Sequence, residues 1–305
     1  MSRNGRLVVK DNALIDASFN LSLVEQRLLL LAIIEAREVS NLTTDTALEI
    51  KAYTYQEQFN IDESNSYKQL HEASRQLFNR HFSYLDRYKS NDVVTFARWI
   101  NRASYMNDKG TVILYLSNEV ISLISRLEKH FTKYLLDQVA GLKSQYSIRF
   151  YELFARYLPL GNSKKYEVQE LRSLLGIGDT EYKSIAYLKR DVIDKAINEI
   201  NKKTDITVSY EQFKQGRTIT HLLFKMKQKH TKQKKQAEKI ISFTEKQLDM
   251  FSDKLSKLPS FQNHYLADTG VSTEEYAQQI KAKLSEPSTV KQWIPYLNEV
   301  GYKGI

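Results

Sequence analysis

The sequence predicts an α+β chain in which one helix-and-strand unit is used twice and a small helical extension follows. Three observations carry this. The order helix, short strand, helix, turn, helix, strands occurs twice, about 120 residues apart. Glycine (10) and proline (4) are scarce among 305 residues, 42% of them hydrophobic and 27% charged, a helix-rich globular composition. A stretch rich in lysine and glutamine at 225–239 holds little apolar content and reads as an exposed linker or the fraying end of a strand.

The first strong element opens at Ser22-Leu23-Val24-Glu25, an S-x-x-E capping box whose two side chains satisfy backbone N–H groups at a helix start. A helix of about 16 residues follows, apolar on most faces and therefore buried. Residues 47–52 read as a short strand, 53–59 as a helix, 60–65 as a polar turn and 67–82 as a longer helix. In that last helix Leu70, Ala73, Leu77 and Phe78 recur at helical spacing. Two β-type runs, 93–100 and 111–116, flank the turn residues Asn107, Asp108, Lys109 and Gly110.

The order then returns as a helix at 145–158, a strand at 165–168, a helix at 169–175, a turn at Gly176-Ile177-Gly178-Asp179 and a helix at 185–201. A hairpin closes it, 206–213 and 218–225 around Lys214-Gln215-Gly216-Arg217. Two helices joined by a short turn and followed by a β-hairpin form a winged helix-turn-helix. The predicted architecture is therefore two tandem winged-helix domains related by internal duplication, 1–125 and 126–229. Residues 230–305 make a lysine-rich linker and a helical C-terminal extension, where Thr244-x-x-Gln247 and Ser272-x-x-Glu275 cap amphipathic helices.

Charge is distributed unevenly. The formal net charge is +9, but residues 1–125 hold 14 basic and 15 acidic residues, 126–229 hold 20 and 12, and 230–305 hold 11 and 9. The second domain carries nearly all of the positive field, which attracts a polyanion by Coulomb attraction and counterion release. The near-neutral first domain suits a protein interface.

Other chemistries lack their residues. There is no cysteine, which removes disulfides, thiolate metal sites and cysteine nucleophiles and fits a reducing cytoplasm. The longest apolar run, 28–34, is far short of a membrane span, and residues 1–11 lack the apolar region of a signal peptide. No glycine opens a P-loop, and Gly176-Ile177-Gly178 follows a helix and lacks the third glycine of a dinucleotide fingerprint. His71, His81, His130, His221, His230 and His264 show no metal-ligand spacing, and the paired histidines of a rolling-circle nickase are missing. Neither an enzyme nor a cofactor is expected.

Three segments match a known family. Val8-Val9-Lys10-Asp11-Asn12-Ala13-Leu14-Ile15, running into Asn20-Leu21-Ser22-Leu23-Val24-Glu25-Gln26-Arg27, is similar to its N-terminal signature. Tyr146-Ser147-Ile148-Arg149-Phe150-Tyr151-Glu152-Leu153 is similar to the helix that opens its second winged domain. Glu199-Ile200-Asn201 with Thr204-Asp205-Ile206, then Lys214 to Arg217, complete the match. Over residues 8–228 the chain resembles the iteron-binding replication initiators of theta-replicating plasmids, the Rep_3 or RepB-like family. The resemblance implies a cytoplasmic protein that binds directly repeated origin DNA as a monomer through both winged domains and helps to open an A·T-rich segment. It also implies recruitment of a host initiator and replicative helicase, and a homodimer formed through the first domain that represses its own gene.

The second helix of a helix-turn-helix enters the major groove. In the second domain Leu188, Val192, Ala196, Ile197 and Ile200 form its inward stripe, leaving Lys183, Ser184, Tyr187, Lys189, Arg190 and Asp194 outward. Arg190 is the favoured residue for bidentate guanine readout. Lys214 and Arg217 sit at the wing tip, where backbone contact is expected, while Gly216 supplies a turn conformation. The corresponding first-domain positions are Ser66, Lys68, Arg75 and Asn79, with Arg87 and Lys89 on its loop. Arg149 and Glu152 stand at ion-pair spacing within one helix. Two other readings remain, a winged-helix transcription regulator that binds one inverted site as a stable dimer, and a nicking enzyme.

Overall fold

The computed structural model describes residues 6–61, 66–125, 130–229, 243–262, 265 and 271–302. The chain divides into two compact units, Met1–Lys229 and His230–Ile305.

The first unit opens with β1 (Leu7–Asp11) and the single turn α1 (Asn12–Ile15), capped by Asp11, which accepts from the Ala13 N–H at 2.7 Å. The expected capping box starts α2 (Leu23–Arg37): Glu25 N–H donates to Ser22 Oγ at 3.3 Å and Ser22 N–H to Glu25 Oε2 at 2.6 Å. Leu28 to Ile34 are buried on every side of this helix. β2 (Leu48–Lys51) passes into α3 (Ala52–Phe59), and α4 (Ser66–Asn79) buries the stripe Leu70, Ala73 and Leu77.

Beyond α4 the structure departs from the sequence reading. The helix expected to reach residue 82 stops at Asn79, and β3 (His81–Tyr88) pairs with β4 (Asn91–Arg98) in a hairpin. The reason is tertiary. Phe82 is fully buried with its ring 4.4 Å from that of Trp99, which also takes Phe19 edge-on at 4.9 Å, whereas Phe78, read as part of the inward stripe, is exposed. β5 (Ile100–Met106), hidden in the sequence by its polar residues, pairs with β6 (Thr111–Leu116) across a turn closed by Gly110 at φ 54°.

α5 (Asn118–Ile124) and then β7 (Phe131–Leu135) follow, with β7 returning to pair with β1 from Leu7↔Leu135 to Asp11↔Phe131. This pairing spans the 125/126 line drawn from the sequence. α6 (Leu136–Ala140) leads to α7 (Gln145–Tyr157), β8 (Asn162–Glu167) and α8 (Val168–Leu174). α9 (Ile185–Leu188), a π-helical turn (Lys189–Ile193) and α10 (Asp194–Lys203) run on as one helix. β9 (Ile206–Gln215) and β10 (Thr218–Gln228) form the closing hairpin. Residues 225–228 are the end of β10, the strand-end reading of this lysine-rich stretch, and Lys229 still donates to the carbonyls of Asn201 and Thr204 at 2.6 Å each. The rest of the expected linker, through 239, lies outside the described residues.

The duplication is explicit in the sheets. β2-β6-β5 and β8-β10-β9 have the same antiparallel order, a short strand against the second strand of a wing. The first copy differs by the inserted hairpin β3–β4, so Arg87 and Lys89 sit on the insertion and not on a wing loop; the first wing turns at 107–110. One continuous apolar core joins both copies, from Val8 and Leu14 through Trp99 to Phe150, Phe224 and Met226.

In the second unit, α11 (Glu245–Ser256), α12 (Pro259–Gln262), α13 (Thr273–Leu284) and α14 (Pro287–Glu299) enclose their own core. Phe251, Leu255, Phe261, Ile280, Trp293 and Leu297 are among its members, and Thr244 and Ser272 cap as expected.

Candidate nucleic-acid interface

The second helix-turn-helix consists of α8, the turn through residue 184, and the helix from Ile185. Its turn is held from within. Arg172 donates to the carbonyls of Gly178 and Glu181 at 2.7 Å and of Tyr182 at 3.0 Å, and Gly178 N–H donates to Glu181 Oε2 at 2.9 Å. Gly176 adopts φ 64°, and a Cβ there would lie 2.2 Å from the Phe19 carbonyl oxygen. The turn therefore rests directly on the backbone of the segment that precedes α2.

That segment is tied at several points. Ser18 exchanges backbone hydrogen bonds with Ser83 of the inserted hairpin, at 2.8 and 3.0 Å, and its hydroxyl donates to the Ser173 carbonyl at 2.5 Å. Arg149 Nη2 donates to the carbonyls of Ile15, Ala17 and Leu174 at 3.0–3.2 Å. Arg149 and Glu152 do form an ion pair, at 3.1 Å, and both are buried. Lys10 Nζ, at 2.5 Å, and the Tyr134 hydroxyl, at 2.6 Å, also donate to Glu152. Burial alone would raise the Glu152 carboxyl, but the Lys10 and Arg149 charges overcome it and hold it below the usual range. Burial pushes the Tyr134 hydroxyl up, which keeps it a donor.

On the recognition helix the inward stripe is as read, with Ile193 buried beside Val192. Lys183, Ser184, Tyr187, Arg190 and Asp194 are exposed and Lys189 is half-buried. Their bonds separate them. Ser184 is the N-cap, accepting from Ala186 N–H at 3.2 Å. Lys189 donates to Gln212 at 2.8 Å and Asp194 accepts from the Tyr210 hydroxyl at 2.8 Å, so both fasten the helix to the wing strand β9. Lys183 and Arg190 remain on the outer face with Tyr187, whose ring lies 4.9 Å from the Arg190 guanidinium. Lys214 and Arg217 are exposed at the wing tip around Gly216, at φ 59°.

In the first domain Lys68, Arg75 and Asn79 are exposed along α4, whereas Ser66 is fully buried. A shallow groove brings Arg75, Phe78 and Asn79 together with Asn101, Arg102 and Tyr105 of β5. Arg102 lies over the Tyr115 ring at 3.8 Å, and Arg98 donates to the Phe78 carbonyl at 2.7 Å. The sequence reading missed Arg102 because β5 itself was not visible, and it passed over Arg98 at the end of β4 although the run 93–100 was read as a strand; the net charge of the domain hides this local arginine cluster.

Two family models match the chain, the initiator replication protein WH1 over residues 7–155 and the initiator Rep protein WH2 over residues 167–226. The chain belongs to the initiator replication proteins. It has the two winged-helix domains of that family. Among Escherichia coli proteins, the PI protein is 35% identical over 144 residues, 41% of this chain and 46% of that one. A replication initiation protein is 23% identical over 226 residues, 72% and 69% of the two chains. The crystal structure of the Pi initiator protein in complex with iteron DNA matches with a TM-score of 0.60 and 25% identity, covering 74% of this chain and 98% of that one. The helical extension lies beyond both family models.

Proposed function

We propose that this replication initiator binds directly repeated origin DNA through both winged domains, with the second supplying most of the sequence readout. The observation that carries the reading is the paired recognition geometry. Two helix-turn-helix units with identically ordered wing sheets are joined by one core, and the second presents Lys183, Tyr187, Arg190, Lys214 and Arg217 outward. Contacts from two docked units deform an adjacent A·T-rich segment at its flexible steps, where bending costs least. A host initiator and the replicative helicase would then load on the opened strand. The chain acts by binding rather than catalysis and works in the cytoplasm; no described helix is long and apolar enough to cross a membrane. A supercoiled-plasmid nicking assay with Mg²⁺ or Mn²⁺ that yielded tyrosine-linked DNA would overturn the non-enzymatic reading.

Self-association belongs to the first domain. The hairpin β3–β4 exposes Leu85 (67%), Val94 (64%) and Phe96 (72%) on one face, an apolar ladder suited to a second copy of the chain. Such a dimer would repress its own gene.

Fluorescence anisotropy against the DNA upstream of the gene and a shuffled copy of equal composition tests the DNA reading. Native DNA should bind at least about 10³-fold tighter, with footprints over direct repeats. A single protected inverted repeat would instead mark a transcription regulator, because operator symmetry mirrors protein symmetry.

A further inference from the structure

Beside the outer face of the recognition helix lies a half-buried acidic residue, Asp191, that none of the roles above uses. A carboxylate facing a polyanion lowers affinity unless it does something else. Asp191 is tied to its neighbour: Arg190 Nε lies 3.1 Å from both of its carboxylate oxygens and Nη2 lies 2.5 Å from Oδ2. Lys195 Nζ donates to Oδ1 at 3.0 Å. The hydrogen bonds from Arg190 and then Lys195 hold the Asp191 carboxyl down to about 2, so it stays ionised at any working pH.

The π-helical turn makes this arrangement. It buries Val192 and Ile193 side by side and leaves Arg190 and Asp191 together at the outer edge of the helix. The guanidinium is then fixed on two sides, by the carboxylate along its Nε and Nη2 edge and by the Tyr187 ring against one face. Its remaining edge, Nη1 with Nη2, points away from the carboxylate, and among the described residues no group bonds Nη1. Two parallel N–H groups in that fork match the O6 and N7 acceptors of guanine.

We propose that Asp191 is a positioning residue that orients the Arg190 fork for guanine readout before DNA arrives. The proposal rests on the reading of Arg190 as a base-contacting residue and adds how that residue is aimed. Lys195, on the other carboxylate oxygen, keeps Asp191 from swinging away with its partner.

The test measures binding of the full chain to the native upstream duplex and to its shuffled copy, for wild type, Arg190→Ala, Asp191→Asn and the double variant. Arg190→Ala should lower the native-to-shuffled ratio by about 5- to 150-fold, the range one bidentate pair supplies. Asp191→Asn should also lower that ratio, yet bind shuffled DNA as tightly as wild type or tighter, because a negative charge has been removed. The double variant should show the ratio of Arg190→Ala alone. If Asp191→Asn tightens both duplexes equally and keeps the ratio, the residue is only a charge and the proposal falls. If Arg190→Ala leaves the ratio unchanged, the base-reading assignment falls and takes this one with it. Asp191→Ser repeats the measurement with a different side chain, and urea unfolding of each variant separates a lost fold from a lost alignment.

Discussion

Glu152 has no solvent and three donors, from Lys10, Arg149 and Tyr134, which reach it from β1, its own helix and β7. Three side chains far apart in sequence thus share one buried carboxylate. Removing its charge leaves two cations in the core without a counter-ion, and breaking a buried pair in this way costs roughly 3–5 kcal/mol. Glu152→Gln should lose about that much stability in urea unfolding, while exposed Lys183→Ala should lose less than about 0.5 kcal/mol. The same carboxyl predicts acid sensitivity. Its folded-state pKa lies below the ordinary value of 4.5, so its contribution is complete above that value and is lost as pH falls through the folded one. Wild-type thermal midpoints should fall on acidification in that window, and Glu152→Gln should show a shallower dependence. Sequence spacing made the Arg149–Glu152 pair legible, because three residues apart is one helical face; Lys10 and Tyr134 were not, because only the β1–β7 pairing brings them there.

At the scale of elements, the hairpin β3–β4 is the part that separates the two copies of the winged helix. Its outer ladder of Leu85, Val94 and Phe96 ends in the Arg87–Asp92 pair at 3.5 Å, a charged tip on an apolar face. If this face joins two copies, Leu85→Ser with Phe96→Ser should shift sedimentation toward monomer without lowering the unfolding midpoint, since neither side chain is buried. A dimer that persists would move the interface elsewhere. The helices α2, α11 and α13 were legible because a capping box and an apolar period agree. The end of α4 was not, because Phe82 satisfies helical spacing equally well and only its contact with Trp99 decides for the strand. For the candidate site the outward set on the recognition helix was readable from periodicity. That Lys189 and Asp194 spend their polar groups on β9 was not, since Gln212 and Tyr210 approach only in the folded domain.

At the scale of the whole molecule, the division into Met1–Lys229 and His230–Ile305 predicts separable stability. A chain ending at Lys229 should unfold in one cooperative transition and bind the native duplex within about threefold of the full protein, because each unit has its own core. A fragment that aggregates or melts without a transition would show that the extension supports the fold. For either chain, neutralising about 6–10 phosphates should cost 10³ to 10⁵ in affinity between 50 and 200 mM salt. The positive field was legible by counting along the chain; the arginine groove of the first domain was masked by the acidic residues around it.

The rest of the helix-turn-helix turn on residues 15–20 limits how such proteins can be recombined. Gly176 leaves no room for a side chain against Phe19, and Ser18 and the carbonyls of Ile15 and Ala17 are shared with Ser173 and Arg149. A graft that takes a relative's second winged helix as a cassette would set a foreign turn on this chain's N-terminal segment. A working hybrid must therefore bring the donor's short stretch before α2 together with its distant reading head, two pieces of chain inherited as one part.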